Sequence, residues 1–152
     1  MKNLLLLLTT LLVLFAGCKK DDEQLLLEAN LKQGWKLTAE RINGIETDLV
    51  QIPIPELMYF ADQSLCYLAT PVFLKNEWKY NDLRTAWSYD YTYTILNIAG
   101  MLPATIYIDV LTNNSLEIHY YKFNDSGDLD RIEKSFSPVQ VEIEDLKIRI
   151  KE

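Results

Sequence analysis

Residues 106–121 read Ile-Tyr-Ile-Asp-Val-Leu-Thr-Asn-Asn-Ser-Leu-Glu-Ile-His-Tyr-Tyr. Ile106, Ile108 and Val110 alternate with Tyr107 and Asp109. After the polar Thr112-Asn113-Asn114-Ser115, Leu116, Ile118 and Tyr120 are set against Glu117, His119 and Tyr121. A helix repeats every 3.6 residues, whereas a period of two on both sides of a short polar connection describes a hairpin with one face buried and one wet.

The same period extends in both directions. Trp35, Leu37 and Ala39 oppose Lys36, Thr38 and Glu40, and Asn43-Gly44 ends that strand with a strong hairpin-turn pair. A second hairpin is expected from 57–60 and 65–69 around Ala61-Asp62-Gln63-Ser64. Further strands are expected at 85–90, 91–98 and 129–136. A last strand, 141–150, switches parity between Val141/Ile143 and Leu146/Ile148/Ile150, which a bulge near Glu144-Asp145 would accommodate. Residues 45–56 read as a loop, since Pro53 and Pro55 block a central strand, and 70–84 read as irregular. Only 24–33 carry helical spacing, with Gly34 suited to the helix end. Eight or nine strands in hairpin succession, with no β-α-β alternation, exclude a parallel sheet. The expected fold is all-β, a small up-and-down antiparallel barrel with a short N-terminal helix; a two-sheet sandwich is the alternative.

The chain has 152 residues, nine of them Tyr and three Trp, a composition favouring half-buried pleated surfaces. With 15 basic and 22 acidic residues it carries a formal charge of −7 and no basic cluster. Such a surface repels phosphate backbones, which argues against nucleic-acid partners.

The first residues, MKNLLLLLTTLLVLFAGC, place Lys2 before an apolar run from Leu4 to Phe15, then two small residues and Cys18. The run is too short to span a bilayer but suits a signal-peptide core. The arrangement resembles a bacterial lipoprotein signal. That resemblance implies cleavage after residue 17 and acylation of the Cys18 sulfur. The mature form begins at Cys18 and carries 14 basic against 22 acidic residues, a formal −8. Two acyl chains suffice for stable anchoring. Lys20-Asp21-Asp22 is similar to the export signal of Bacteroidetes-type lipoproteins, which implies an outer-membrane, cell-surface address; a solvated tether with the domain facing the periplasm is the other reading. The organisation expected is therefore a signal peptide at 1–17, a lipidated tether at 18–24 and a barrel domain at 25–152.

Residues 31–141 resemble the lipocalin-like domain of Bacteroidetes-type lipoproteins. The likeness rests on Leu31 through Leu37 with Gly34-Trp35, on Asn43-Gly44, on Leu57 through Phe60, on Trp87-Ser88-Tyr89 and on Leu111 through Ile118. It implies the barrel fold and no particular ligand.

Candidate functional residues are few. His119, the only histidine, shares a strand face with Glu117 and Tyr121, and no Cys or His spacing accompanies it to bind a metal. Cys66 lies in a strand-like run and reads as a small buried apolar residue. Asn124 through Asp130 is rich in oxygen ligands but lacks the calcium-loop pattern, and Gly127 suits a hairpin turn. No serine stands in a nucleophile-elbow context, so catalysis is not expected. Trp35 and Trp87 either fill the barrel or line a cavity in it. Trp78 and Tyr80, flanked by polar groups, either belong to a strand or form a stacking surface. The expected function is a lipid-anchored envelope binding module that takes a small apolar ligand or a glycan, with no cofactor beyond its lipid. The alternatives are a filled barrel serving as an accessory protein of an outer-membrane complex and, more remotely, an envelope hydrolase.

Overall fold

Alternation becomes strand throughout the computed structural model, which describes residues 25–61, 64–101 and 105–151. Helix α1 covers residues 25–31. Strand β1 (Gly34–Ile42) follows, then β2 (Ile45–Glu46), a 3-10 turn (Leu49–Gln51), β3 (Leu57–Phe60), β4 (Leu65–Leu74) and β5 (Glu77–Asp90). The chain continues with β6 (Ile95–Ile98), β7 (Ile106–Leu111), β8 (Leu116–Phe123), β9 (Leu129–Val139), β10 (Val141–Glu144) and β11 (Lys147–Ile150). From β3 to β9 each strand pairs antiparallel with the next, and β1 pairs with both β3 and β9. These eight strands close on themselves in up-and-down order, so the fold is a barrel and the sandwich alternative is excluded. Strand β2 only folds back on the end of β1 through Asn43 (φ 53°) and Gly44 (φ 80°), the left-handed pair of a type I′ turn.

One end of the barrel is plugged. Helix α1 seats there, and Leu31, Trp35, Phe60, Leu96, Ile106 and Leu116 are wholly or almost wholly buried behind it. Both plug indoles are hydrogen-bonded: Trp35 Nε1 donates to the Leu31 carbonyl at 3.0 Å and Trp87 Nε1 to that of Ala61 at 3.3 Å. Trp87 also stands edge-on to Phe60, with ring centroids 5.3 Å apart. Gln33 Nε2 ties the helix end to the β7–β8 turn through the Asn113 carbonyl at 3.3 Å. Satisfied indoles let two large side chains be buried without an orphaned donor.

A second core lies outside the barrel wall. The expected single strand at 141–150 is a hairpin, β10–β11, turning through Asp145 and Leu146 with φ of 49° and 65°. The parity switch therefore marks a two-residue turn and not a bulge. Ile148 is buried against the outward-facing Leu57, Tyr67 and Ala69. Arg149 fixes the hairpin to β5 with a two-pronged bond to Asp82 at 2.7 and 3.0 Å, its guanidinium 4.7 Å above the Tyr80 ring.

Other expectations are corrected by backbone geometry. Gly34 does not end the helix; it opens β1. Register shifts between Leu37 and Ala39 in β1, and between Ile108 and Val110 in β7, reverse the later half of each strand. Glu40 consequently shares the inner face in place of Ala39, and Leu111 in place of Val110. Residues 70–84 are not irregular but form the long β4–β5 hairpin, turned at Lys75-Asn76 with φ of 52° and 63°. The segment 91–94 is a turn, so β6 is only four residues long.

Gly34 is required by a close approach. A Cβ built there would meet the Val139 carbonyl oxygen at 2.5 Å and Val141 Cγ1 at 2.8 Å. Gly34→Ala must push β1 away from β9, and destabilisation of about 1–3 kcal/mol is expected, measured as a lowered urea midpoint at unchanged slope.

Candidate functional site

At the end opposite the plug the wall is uneven because the strands differ in length. Strand β3 has four residues whereas β4 has ten, so beyond the Lys36–Leu57 pair no strand fills the space between β1 and β4. The segment 49–56 crosses that space instead. Pro53 and Pro55 deny it a continuous ladder, and it is held by one sheet-like bond, Leu37 N–H to the Glu56 carbonyl at 2.9 Å. Beneath it lies a cleft of about 630 Å³ whose apolar wall includes Leu37, Ile52, Pro53, Ile54 and Pro55.

The inner side of this cleft is charged. Lys134 is on the inner face of β9, in register between Ile132 and Phe136, and the bulge in β1 sets Glu40 opposite it. Its Nζ lies 2.5 Å from Glu56 Oε2 and 3.4 Å from Glu40 Oε2. All three side chains are largely withdrawn from water, at 11% exposure for Lys134, 15% for Glu56 and 21% for Glu40. Burial alone would depress the Lys134 pKa. Glu56 above all, then Tyr120 and Glu40, outweigh it and hold the ammonium protonated well above the usual lysine range. Tyr120, beside the cluster, has its phenol pKa raised by burial first and by the carboxylates second, while Lys134 acts against them. One ammonium thus faces two carboxylates.

The residues singled out in the sequence are dispersed. Trp35 and Trp87 belong to the plug. Trp78 and Tyr80 are half-buried on the outer face of β5: Trp78 leans on Phe73 at 5.4 Å, and Tyr80 lies under Arg149 against the second core. Tyr80 also borders a shallower depression with Ile54 and Pro55. His119 is outside the barrel, its Nδ1 2.8 and 2.9 Å from the Asp109 oxygens and its ring stacked on Tyr107 at 4.9 Å. Cys66 is buried in the core, and burial pushes its thiol pKa far up. Asn124 Oδ1 accepts from the Ser126 and Asp128 amides, closing the β8–β9 turn with Gly127 at φ 85°. Among the described residues no three His, Cys, Asp or Glu side chains are grouped to hold a metal. Cys18, Lys20, Asp21 and Asp22 lie outside the described residues.

The sequence reading missed Glu40, Glu56 and Lys134. Lys134 had a legible signal: within Ile132-Glu133-Lys134-Ser135-Phe136 it occupies the apolar parity. Glu40 had none, because the bulge that turns it inward leaves no mark in the alternation.

Removing the ammonium leaves two carboxylates buried together. Lys134→Met is expected to cost about 3 kcal/mol at neutral pH, measured by urea titration. In the parent the raised folded-state pKa fixes the sign of the pH dependence. The contribution of Lys134 is complete below the unfolded-state value of about 10.4 and is lost as pH rises through the folded-state value. The native Cys66 thiol should stay unreacted toward a soluble disulfide reagent and react fully in denaturant, read by absorbance.

No family model and no curated protein matches the chain. Solved structures with a similar course include the odorant-binding protein OBP1, at 9% identity and a TM-score of 0.47, covering 72% of this chain and 71% of that one. A bovine odorant-binding protein, in complex with a selenium-containing odorant, gives 15% identity and a TM-score of 0.46 over 74% and 73%. A dog lipocalin allergen gives 14% and 0.46 over 70% and 72%.

Proposed function

We propose that this chain is a binding module of the bacterial envelope, anchored by acyl chains at Cys18, that holds a small apolar molecule in the cleft under 49–56. The observation that carries this reading is the division of the barrel into a plugged end and an opposite end with a cleft of about 630 Å³, apolar on one wall and charged on its inner side, within the usual size range of small-molecule sites. The cleft offers apolar walls and a small number of fixed polar groups, the combination that binds and orients a modest ligand. An apolar ligand is preferred to a glycan because the Tyr80 face that would stack on a sugar is occupied by the Arg149 guanidinium. No catalytic role is assigned. The surface address implied by Lys20-Asp21-Asp22 belongs to the same proposal.

Isothermal titration of octanol into the mature lipoprotein held in nanodiscs, with empty nanodiscs as reference, is expected to show saturable one-to-one binding. Thr70→Trp, which fills the cleft from its exposed edge, should abolish that binding without lowering the melting temperature. Binding that Thr70→Trp leaves intact would place the ligand elsewhere. For the anchor, Cys18→Ala should move the protein out of the membrane fraction; retention there would refute lipidation at this sulfur.

A further inference from the structure

We infer that the ligand of the cleft carries a positive charge: an apolar amine or ammonium compound rather than a neutral or anionic amphiphile. The inference rests on the proposed ligand cleft and specifies its occupant.

The argument starts from the balance of charge inside. Lys134 donates to Glu56 and stands 3.4 Å from Glu40 Oε2, with Tyr120 beside the pair. An anionic head group brought to Lys134 would meet the Glu56 and Glu40 carboxylates at the same place, and that like-charge repulsion opposes it. Two carboxylates share one ammonium, and their contacts are unequal: Glu56 Oε2 is at 2.5 Å and Glu40 Oε2 at 3.4 Å. Glu40 is the less committed of the two, and it borders the cleft. Its oxygens keep lone pairs for a donor, and among the described residues two carboxylates face one ammonium inside the wall, an excess of one formal negative charge.

The other cation of the cleft does not cancel this charge. Lys36 is on the outer face of β1, since its register partner Leu57 belongs to the second core outside the wall. It therefore stands at the solvent lip, where water and salt screen it from the interior. Within the barrel wall a cationic ligand would complete a square of alternating charge: Lys134, Glu56, the ligand and Glu40. Its hydrocarbon part would lie along Leu37, Ile52 and Ile54. The formal charge of the whole chain, −7, adds a field that draws cations toward the surface and repels fatty-acid anions.

The test compares three ligands of equal chain length, octylamine, octanol and octanoate. Each is titrated calorimetrically into the mature lipoprotein in nanodiscs of uncharged lipid, against empty nanodiscs. Octylamine is expected to bind about tenfold or more tighter than octanol, as a charge-assisted hydrogen bond provides, with octanoate weakest. Glu40→Gln should bring octylamine to within about twofold of octanol, with a cooperative thermal melt of the variant showing that it is folded. Equal affinities for octylamine and octanol in the parent protein, tighter octanoate binding, or an octylamine preference that survives Glu40→Gln would each overturn the inference. Absence of binding by all three compounds would instead refute the cleft as a ligand site, a distinguishable failure.

Discussion

Pairing of β1 with β9 is the contact on which the rest of the molecule depends. Eight rows of backbone register link Gly34–Ile42 to Ile132–Val139, and only this ladder turns an open meander into a closed wall with an inside. Closure removes the two strand edges that an open sheet would expose. It also explains the glycine at the start of β1. The two strands approach so closely at Gly34 that the Val139 carbonyl occupies the place of a side chain. Further along the same ladder a bulge between Leu37 and Ala39 shifts the register. The side effect of the bulge is chemical, since it brings a carboxylate to face Lys134.

Inequality of strand length then shapes the interior. At the plugged end all eight strands are present, and two tryptophans, two phenylalanines and branched aliphatics pack together between them. Toward the other end β3 and β6 stop after four residues each, and the wall loses continuity. The segment 49–56 covers one of these gaps through Glu56, whose carbonyl extends the sheet and whose side chain grips Lys134. A buried ion pair of this kind adds little net stability compared with an apolar substitute. Its value is geometric: it fixes which face of the crossing segment meets the barrel and which groups look into the cleft.

Much of this was legible in the residues. The pattern at 106–121 alone predicts the hairpin, and repeated alternation with no helical spacing between strands predicts the meander. Asn43-Gly44 and Gly127 mark turns whose positive φ they supply at little steric cost. What escaped the reading has a common cause. Bulges at Leu37/Ala39 and Ile108/Val110 invert parity without changing composition, so Ala39 and Val110 looked inward on paper. The turn at Asp145-Leu146 puts a leucine at positive φ, which bulky residues rarely adopt, so the alternation alone reads the hairpin as one strand. The cleft escaped too, because it arises from where β3 ends relative to β4, a relation between distant segments that no local pattern encodes. The tryptophans drew attention as the largest side chains, yet size made them plug rather than site.

The β4–β5 hairpin has one property that follows from those short neighbours. Strand β3 pairs with β4 only as far as Ala69, and β6 pairs with β5 only from Trp87 onward. Among the described residues, 70–84 therefore form a two-stranded arm whose ladder is internal to it. Pro71 is tolerated because no strand borders β4 at that point. Two strands alone are only marginally stable in water, and this arm is braced from outside by the β10–β11 hairpin, through the Asp82–Arg149 bond and the packing of Tyr80 against the second core. Thr70 and Pro71, at the base of the arm, stand beside the cleft. The C-terminal hairpin thus acts as a buttress, supporting from outside the part of the wall that the barrel's own ladders leave unflanked.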